Sequence, residues 1–295
     1  MKPFPLQRVG VFSLSSQPDA TRYAAGIAAL RNCDVSVIEP PILPALRRLA
    51  GTDEARAAAF NRLASDASLQ ALIATRGGYG VTRCLAQIDF AALRTSGAWL
   101  IGYSDVSALL LAAASRGCTR LIHGPMICSG WNLFSDAPAE FEREYNALCD
   151  IISGDSHSYR FNDATILRAG VVQGRLYPTN LTMLQCLIGT PFLPDLRDAI
   201  LVLEDVNVPA HGIDRMLSHL RLCGLLAQLS GLVFGTFSEA DDAEELPEIF
   251  AEYAAMINGP VISGIPFGHT HPSQPLPVGV EATLTADNHG MQLSW

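Results

Sequence analysis

Through its first half the sequence alternates short apolar runs with helix-patterned segments, and this alternation limits the fold more than any other feature. Arg8–Leu14, Val35–Ile38, Leu69–Ala74, Trp99–Ile101 and Arg120–His123 read as buried strands. Ala20–Leu30, Ala55–Ala64 and Val106–Arg116 read as helices, the second with Thr52 or Asp53 at its N-cap. Parallel neighbours need a crossover, and helices then bury both faces of the sheet. Repeated βα units of this kind therefore predict an α/β protein with a parallel, helix-covered sheet.

The pattern changes further on. Ala137–Ser158 is helical and then loop-like, with turn composition at Ser153-Gly154-Asp155-Ser156. This puts a junction within residues 150–168, giving expected domains of 1–155 and 165–295. Beyond it, Ala169–Leu176 alternates like a half-exposed strand and Ala199–Leu203 reads as a buried one ending at Glu204-Asp205. Ile213, Met216, Leu217 and Leu220 share one face of a helix, Leu232–Phe237 is a strand, and Val280–Leu284 with Met291–Trp295 forms a hairpin around Asp287-Asn288-His289-Gly290. A length of 295 residues suits about two domains at roughly 150 residues each.

Composition narrows the function classes. Charged residues are only 17% and hydrophobic ones 49%, which excludes a disordered chain. A net charge of −9 without a basic run argues against nucleic acid and anionic membrane as partners. The most apolar windows, Val106–Ala114 and Leu222–Phe234, fall short of a membrane span and read as core. Met1-Lys2-Pro3-Phe4-Pro5 leads straight into a strand, so no export signal is expected. The 7 cysteines are scattered and never form a CxxC pair, so reduced thiols in a cytoplasmic protein are expected.

Four places could carry chemistry. In Gly102-Tyr103-Ser104-Asp105 a strand runs into a helix through a tight turn, which would lift the Ser104 hydroxyl above the sheet edge and aim backbone N–H groups at an oxyanion. The competing role for Ser104 is a helix N-cap. Arg76-Gly77-Gly78-Tyr79-Gly80 also follows a strand, where ligands bind in parallel sheets; Gly77 and Gly78 would supply an oxyanion donor or only a turn. Glu204 ends an apolar run and would orient an imidazole, with Asp205 as competitor. His269 and His271 lie two apart, a spacing that invites a metal, but no third ligand has comparable spacing. His123 also follows a strand and would line the same cleft, whereas His157, His211, His219 and His289 read as surface or loop. Ser, Glu and His together make a triad, which any chain order permits.

These segments resemble the LD-carboxypeptidases, or muramoyl-tetrapeptide carboxypeptidases, a serine peptidase family that includes the microcin-immunity proteins. The resemblance rests on Gly51-Thr52-Asp53-Glu54-Ala55-Arg56, Arg76-Gly77-Gly78-Tyr79-Gly80, Gly102-Tyr103-Ser104-Asp105, His123-Gly124-Pro125-Met126, Leu203-Glu204-Asp205, Ile213-Asp214-Arg215-Met216-Leu217, and Gly268-His269 with Leu276-Pro277-Val278-Gly279, all in the family's order. It implies a Rossmann-like N-terminal domain, a smaller β-rich C-terminal domain and an active site between them. Ser104 becomes the nucleophile, His269 the base and Glu204 its orienting carboxylate; the oxyanion donors become the N–H groups of Asp105 and Gly78. It further implies release of terminal D-alanine from murein tetrapeptides during peptidoglycan recycling and a homodimer; no cofactor or metal is expected.

A carboxypeptidase must hold a free carboxylate, and Arg76 is the natural partner unless it makes a structural salt bridge; Gly77 and Tyr79 join it as expected substrate contacts. Tyr177-Pro178-Thr179-Asn180 stands where the family often has Gly-Gly-Asn, so a narrowed cleft is expected. Two alternatives remain. One is a microcin-immunity-type amidase, for which Trp131 is the candidate stacking aromatic. The other is a non-catalytic small-molecule binding module in which Ser104 only caps.

Overall fold

The computed structural model describes residues 2–134, 137–155 and 158–295; Ser156 of the expected junction turn and His157 lie outside the described residues. The first part of the chain runs β1 (Arg8–Phe12), α1 (Ala20–Arg31), β2 (Ser36–Ile38), α2 (Asp53–Ala64), β3 (Ala71–Ala74), α3 (Val81–Cys84), α4 (Phe90–Ser96), β4 (Trp99–Gly102), α5 (Ser107–Ser115), β5 (Leu121–His123) and α6 (Pro138–Ser153). The second runs β6 (Ser158–Phe161), β7 (Thr165–Arg168), β8 (Gly170–Asn180), α7 (Leu181–Leu187), β9 (Ile200–Val206), α8 (Ala210–Leu222), β10 (Gly231–Ser238), α9 (Leu246–Ala254), β11 (Val261–Ser263), β12 (Leu276–Pro277), β13 (Glu281–Asp287) and β14 (Gly290–Ser294). Thr52 is the cap of α2, its Oγ1 accepting from Ala55 N at 3.2 Å.

The result is a two-domain α/β fold. The first sheet has the order β12-β5-β4-β3-β1-β2. All its pairings are parallel except the last edge, where Leu276 and Pro277 pair antiparallel with His123 and Ile122. That edge is a departure from a purely parallel sheet, and it is supplied by the distant second half of the chain. The second sheet is mixed, in the order β6-β14-β13-β8-β9-β10-β11-β7. β8 explains its own sequence pattern. Gly170–Arg175 pairs antiparallel with β13 and alternates in exposure, whereas Leu176–Asn180 pairs parallel with β9 and is wholly buried.

Strand periodicity sorts the side chains into three cores. Val9, Val11, Ile73, Ile101 and Ile122 face one core with Phe4, Trp131, Phe141 and Tyr145. Their neighbours Phe12, Leu72, Leu100 and Leu121 face the opposite way, into a central cluster that also takes Leu201, Leu203, Leu232 and Phe234 of the second sheet. Helices α5 and α7 lie in that shared layer, which is why Ser107–Ala113 is buried along its full length. Ile200, Val202, Val233 and Ile262 face a third core. Leu222 is 77% exposed, a correction to the apolar window starting there: it ends α8 off the buried face set by Ile213, Met216, Leu217 and Leu220. Among the described residues no helix is long and apolar enough to cross a membrane.

Candidate active site

The turn after β4 places Ser104. Tyr103 is extended, Ser104 takes φ +62°, and a 3-10 turn over Ser104–Val106 leads into α5. A left-handed serine costs on the order of 1–3 kcal/mol and persists only where its surroundings hold it. Tyr103, not Ser104, occupies the N-cap position, and no side chain caps there. The serine hydroxyl is instead aimed at an imidazole.

Three of the expected residues converge. His269 Nδ1 donates to Glu204 Oε2 at 2.6 Å. A carboxylate only accepts, so Nδ1 carries the proton and Nε2 accepts from the Ser104 hydroxyl at 3.1 Å. Glu204 lies within β9 rather than at a solvated strand end, and its side chain is fully buried. Such a carboxylate needs partners. Asn180 supplies a second one, donating from Nδ2 to Glu204 Oε1 at 3.1 Å and to Asp205 Oδ1 at 3.0 Å. Asp205 turns the other way and accepts from Thr182 N at 2.9 Å and Thr182 Oγ1 at 2.7 Å, at the start of α7. The choice between the two acids is thereby made: Glu204 meets the imidazole.

Two glycines permit this approach. A methyl group at Gly77 would fall 2.7 Å from Ser104 Cβ and 2.8 Å from its Oγ. One at Gly268 would fall 2.5 Å from Glu204 Cβ, and Gly268 also has φ +115°. The same position at Gly77 lies 3.4 Å from Asp105 N, so that amide borders the serine. The Asp105 side chain is buried and serves the scaffold, accepting from Ser15 Oγ at 2.7 Å and Val81 N at 3.0 Å; burial raises its carboxyl above the usual range. Gly78 packs against Ser16.

A cavity of about 540 Å³ opens over Ser104 and is walled by Arg76, Gly77, Gly78, His269 and His271 among others. Arg76 donates from Nε to Gly77 O at 3.1 Å and from Nη1 to Gln17 O at 3.4 Å, and has no carboxylate partner among the described residues, so the structural salt bridge is not formed. Tyr79 is not part of that wall. It is 52% exposed and turned toward Arg83, next to Gly78 of the wall.

Other expectations also change. Trp131 is 1% exposed and packs its ring on Phe4, Phe141 and Tyr145 at centroid distances of 5.4, 5.6 and 5.8 Å, so it cannot stack on a ligand. Tyr177 and Pro178 are buried inside β8 and do not narrow the cleft. His123 is buried 4.0 Å from Glu204 Oε1, against the Phe267 ring. Burial, and secondly the neighbouring His269, push it down to about 3, so it is a neutral packing partner and borders a small chamber beside the cleft. His271 bonds through Nδ1 to Glu144 Oε1 at 2.8 Å, which raises its pKa. The two loop histidines thus address different carboxylates and do not converge on one point. His211 and His219 lie on α8, and His289 in the terminal hairpin turn.

Glu144 and Asn180 were not singled out as site residues from sequence. Phe141, Glu144, Tyr145 and Leu148 occupy one buried helix face, and an acid on such a face is a detectable sign of a partnered carboxylate.

Two family models match the chain. Residues 9–124 match the LD-carboxypeptidase N-terminal domain and residues 173–284 the LD-carboxypeptidase C-terminal domain. A murein tetrapeptide carboxypeptidase of Pseudomonas aeruginosa is 33% identical, over 84% of this chain and 82% of its own. The crystal structure of a muramoyltetrapeptide carboxypeptidase from Oxalobacter formigenes superposes with a TM-score of 0.85 at 29% identity, covering 97% and 98% of the two chains. The microcin C7 self-immunity protein MccF of Escherichia coli is 26% identical over 83% of this chain and 79% of its own. A solved MccF structure matches with a TM-score of 0.90 at 23% identity, covering 99% and 97%, a likeness of fold. Motif order, two family models and whole-chain similarity agree: this protein belongs to the LD-carboxypeptidase family of serine peptidases.

Proposed function

We propose that the chain is a serine carboxypeptidase that hydrolyses the L,D bond before the terminal D-alanine of murein tetrapeptides, serving peptidoglycan recycling. The observation that carries this reading is the Ser104–His269–Glu204 hydrogen-bond chain on the wall of an open cavity. The names of the Pseudomonas and Oxalobacter relatives supply the substrate class. On this reading the nucleophile belongs to a domain of residues 1–155, and Glu204 and His269 to one of residues 165–295.

His269 Nε2 takes the Ser104 proton as Oγ attacks the scissile carbonyl. The amides of Asp105 and Gly78 receive the oxyanion, each donor contributing about 3 kcal/mol. Glu204 fixes the tautomer and stabilises the imidazolium, which then protonates the leaving amine. Water, activated by the same imidazole, releases the acyl group. The chemistry uses only the chain's own groups and water.

Incubation with L-Ala-γ-D-Glu-meso-diaminopimelate-D-Ala tests it. Wild type is expected to release D-alanine, and Ser104→Ala to lose at least about 10⁴-fold in kcat. Release by neither, with labelling by a serine-reactive probe absent in wild type, would leave a binding module. Cleavage of an aminoacyl-nucleotide analogue alone would favour the amidase, although Trp131 is too buried to stack a base. The reading also includes a homodimer in the cytoplasm. The family resemblance supports the first, and free thiols at all 7 cysteines the second.

A further inference from the structure

Two residues past the proposed base, the loop repeats a carboxylate–imidazole pair. Glu144 is 4% exposed, and its Oε1 accepts from His271 Nδ1 at 2.8 Å. The same carboxylate accepts from Ser273 N, so α6 holds the loop at two points. The bond to Glu144 favours the imidazolium against the opposing effect of burial. In that form Nε2 carries a second, charged N–H. Nδ1 is already engaged, and the His271 side chain, 32% exposed, lines the same cavity as Ser104 and His269.

The reaction locates the leaving residue. Its amine must come within roughly 2.6–3.2 Å of His269 Nε2 to be protonated. Its carboxylate is separated from that amine by one Cα, so it falls roughly 4–6 Å from Nε2 on the imidazole side of Ser104. The loop is bent here, Thr270 N donating to Gly268 O at 2.9 Å, and His271 follows His269 by two residues on the wall of the same cavity. His271, with Nδ1 taken by Glu144, is the histidine of this cavity wall that the Ser104–His269–Glu204 chain leaves unused. Arg76 belongs instead to the glycine loop beside the proposed oxyanion donors, tied to Gly77 O and Gln17 O.

We propose that His271, held by Glu144, binds the free α-carboxylate of the leaving residue and so restricts the enzyme to chain ends, with Arg76 facing the acyl part of the substrate. This rests on the carboxypeptidase reading and deepens it.

Matched tetrapeptides ending in D-alanine or D-alaninamide test the assignment. Wild type should favour the acid by at least about tenfold in kcat/KM, the value of a charge-assisted hydrogen bond. His271→Ala should lower kcat/KM for the acid mainly through KM, and collapse the acid-to-amide ratio toward one. His271→Gln keeps a neutral donor and should give an intermediate ratio; it also carries the comparison should the alanine variant fail to fold. Arg76→Ala should weaken both substrates and leave the ratio intact. A ratio unchanged by either His271 substitution overturns the proposal, as does collapse of the ratio in Arg76→Ala alone. Wild type that cleaves both substrates equally sinks this assignment while sparing the carboxypeptidase reading; wild type that cleaves neither overturns both.

Discussion

At Gly268 a single missing Cβ decides whether Glu204 and His269 can meet. Its φ of +115° and the 2.5 Å approach to Glu204 Cβ leave no room for a methyl group. Gly268→Ala should therefore displace the loop by a fraction of an ångström or more and lower kcat for D-alanine release by about 10²-fold or more. Its thermal stability should fall by only about 1–3 kcal/mol. Retention of half the wild-type kcat would refute this. Residue identities at this scale were partly legible. A strand running into a helix through Tyr103-Ser104 left Ser104 open between nucleophile and cap; the +62° backbone and the bond to His269 show that it does not cap. Glu204 against Asp205 was undecidable from sequence, because adjacent residues of a strand point to opposite faces and nothing local says which face holds the imidazole. The Glu144–His271 bond spans 127 residues, beyond any local pattern.

Elements are joined by buried polar hubs, of which Arg56 is the strongest. Its side chain is fully buried and donates to Leu14 O, to Gly80 O at 3.1 Å, to Gly51 O at 3.3 Å and to Asp53 Oδ1 at 2.6 Å. One residue of α2 thus ties the chain after β1 to the end of the glycine loop that borders Ser104. Arg56→Met would strand several buried carbonyls at once. A loss of about 3–5 kcal/mol is expected, seen as a fall in melting temperature on the order of 10 °C; a shift under about 2 °C would exclude the hub. Elements with strong periodicity were the readable ones. α2 with its Thr52 cap, the alternating first half of β8 and the terminal hairpin all follow from local pattern. β12 did not, since two residues carry no period; Leu276-Pro277 is a strand only because β5 offers an open edge.

On the scale of the whole molecule, the two sheets share their central core. Phe12, Leu100 and Leu109 belong to the same buried cluster as Leu184, Leu203 and Phe234. Neither half can expose its side of that layer without stripping the other. Unfolding should be one cooperative transition, with calorimetric and van't Hoff enthalpies in agreement; two resolved transitions would show that the halves are independent.

The stitch at β12 also has a meaning in time. Its partner His123 leaves the ribosome 153 residues before Leu276 does (276 − 123). At roughly 5–20 residues per second, that is an interval of about 8–30 s. Until it closes, the edge of β5, next to the strand that leads to Ser104, presents unpaired backbone groups to whatever else is nearby. During that interval the nascent chain is open to wrong pairing along this edge, when it already holds Ser104 and still lacks His269.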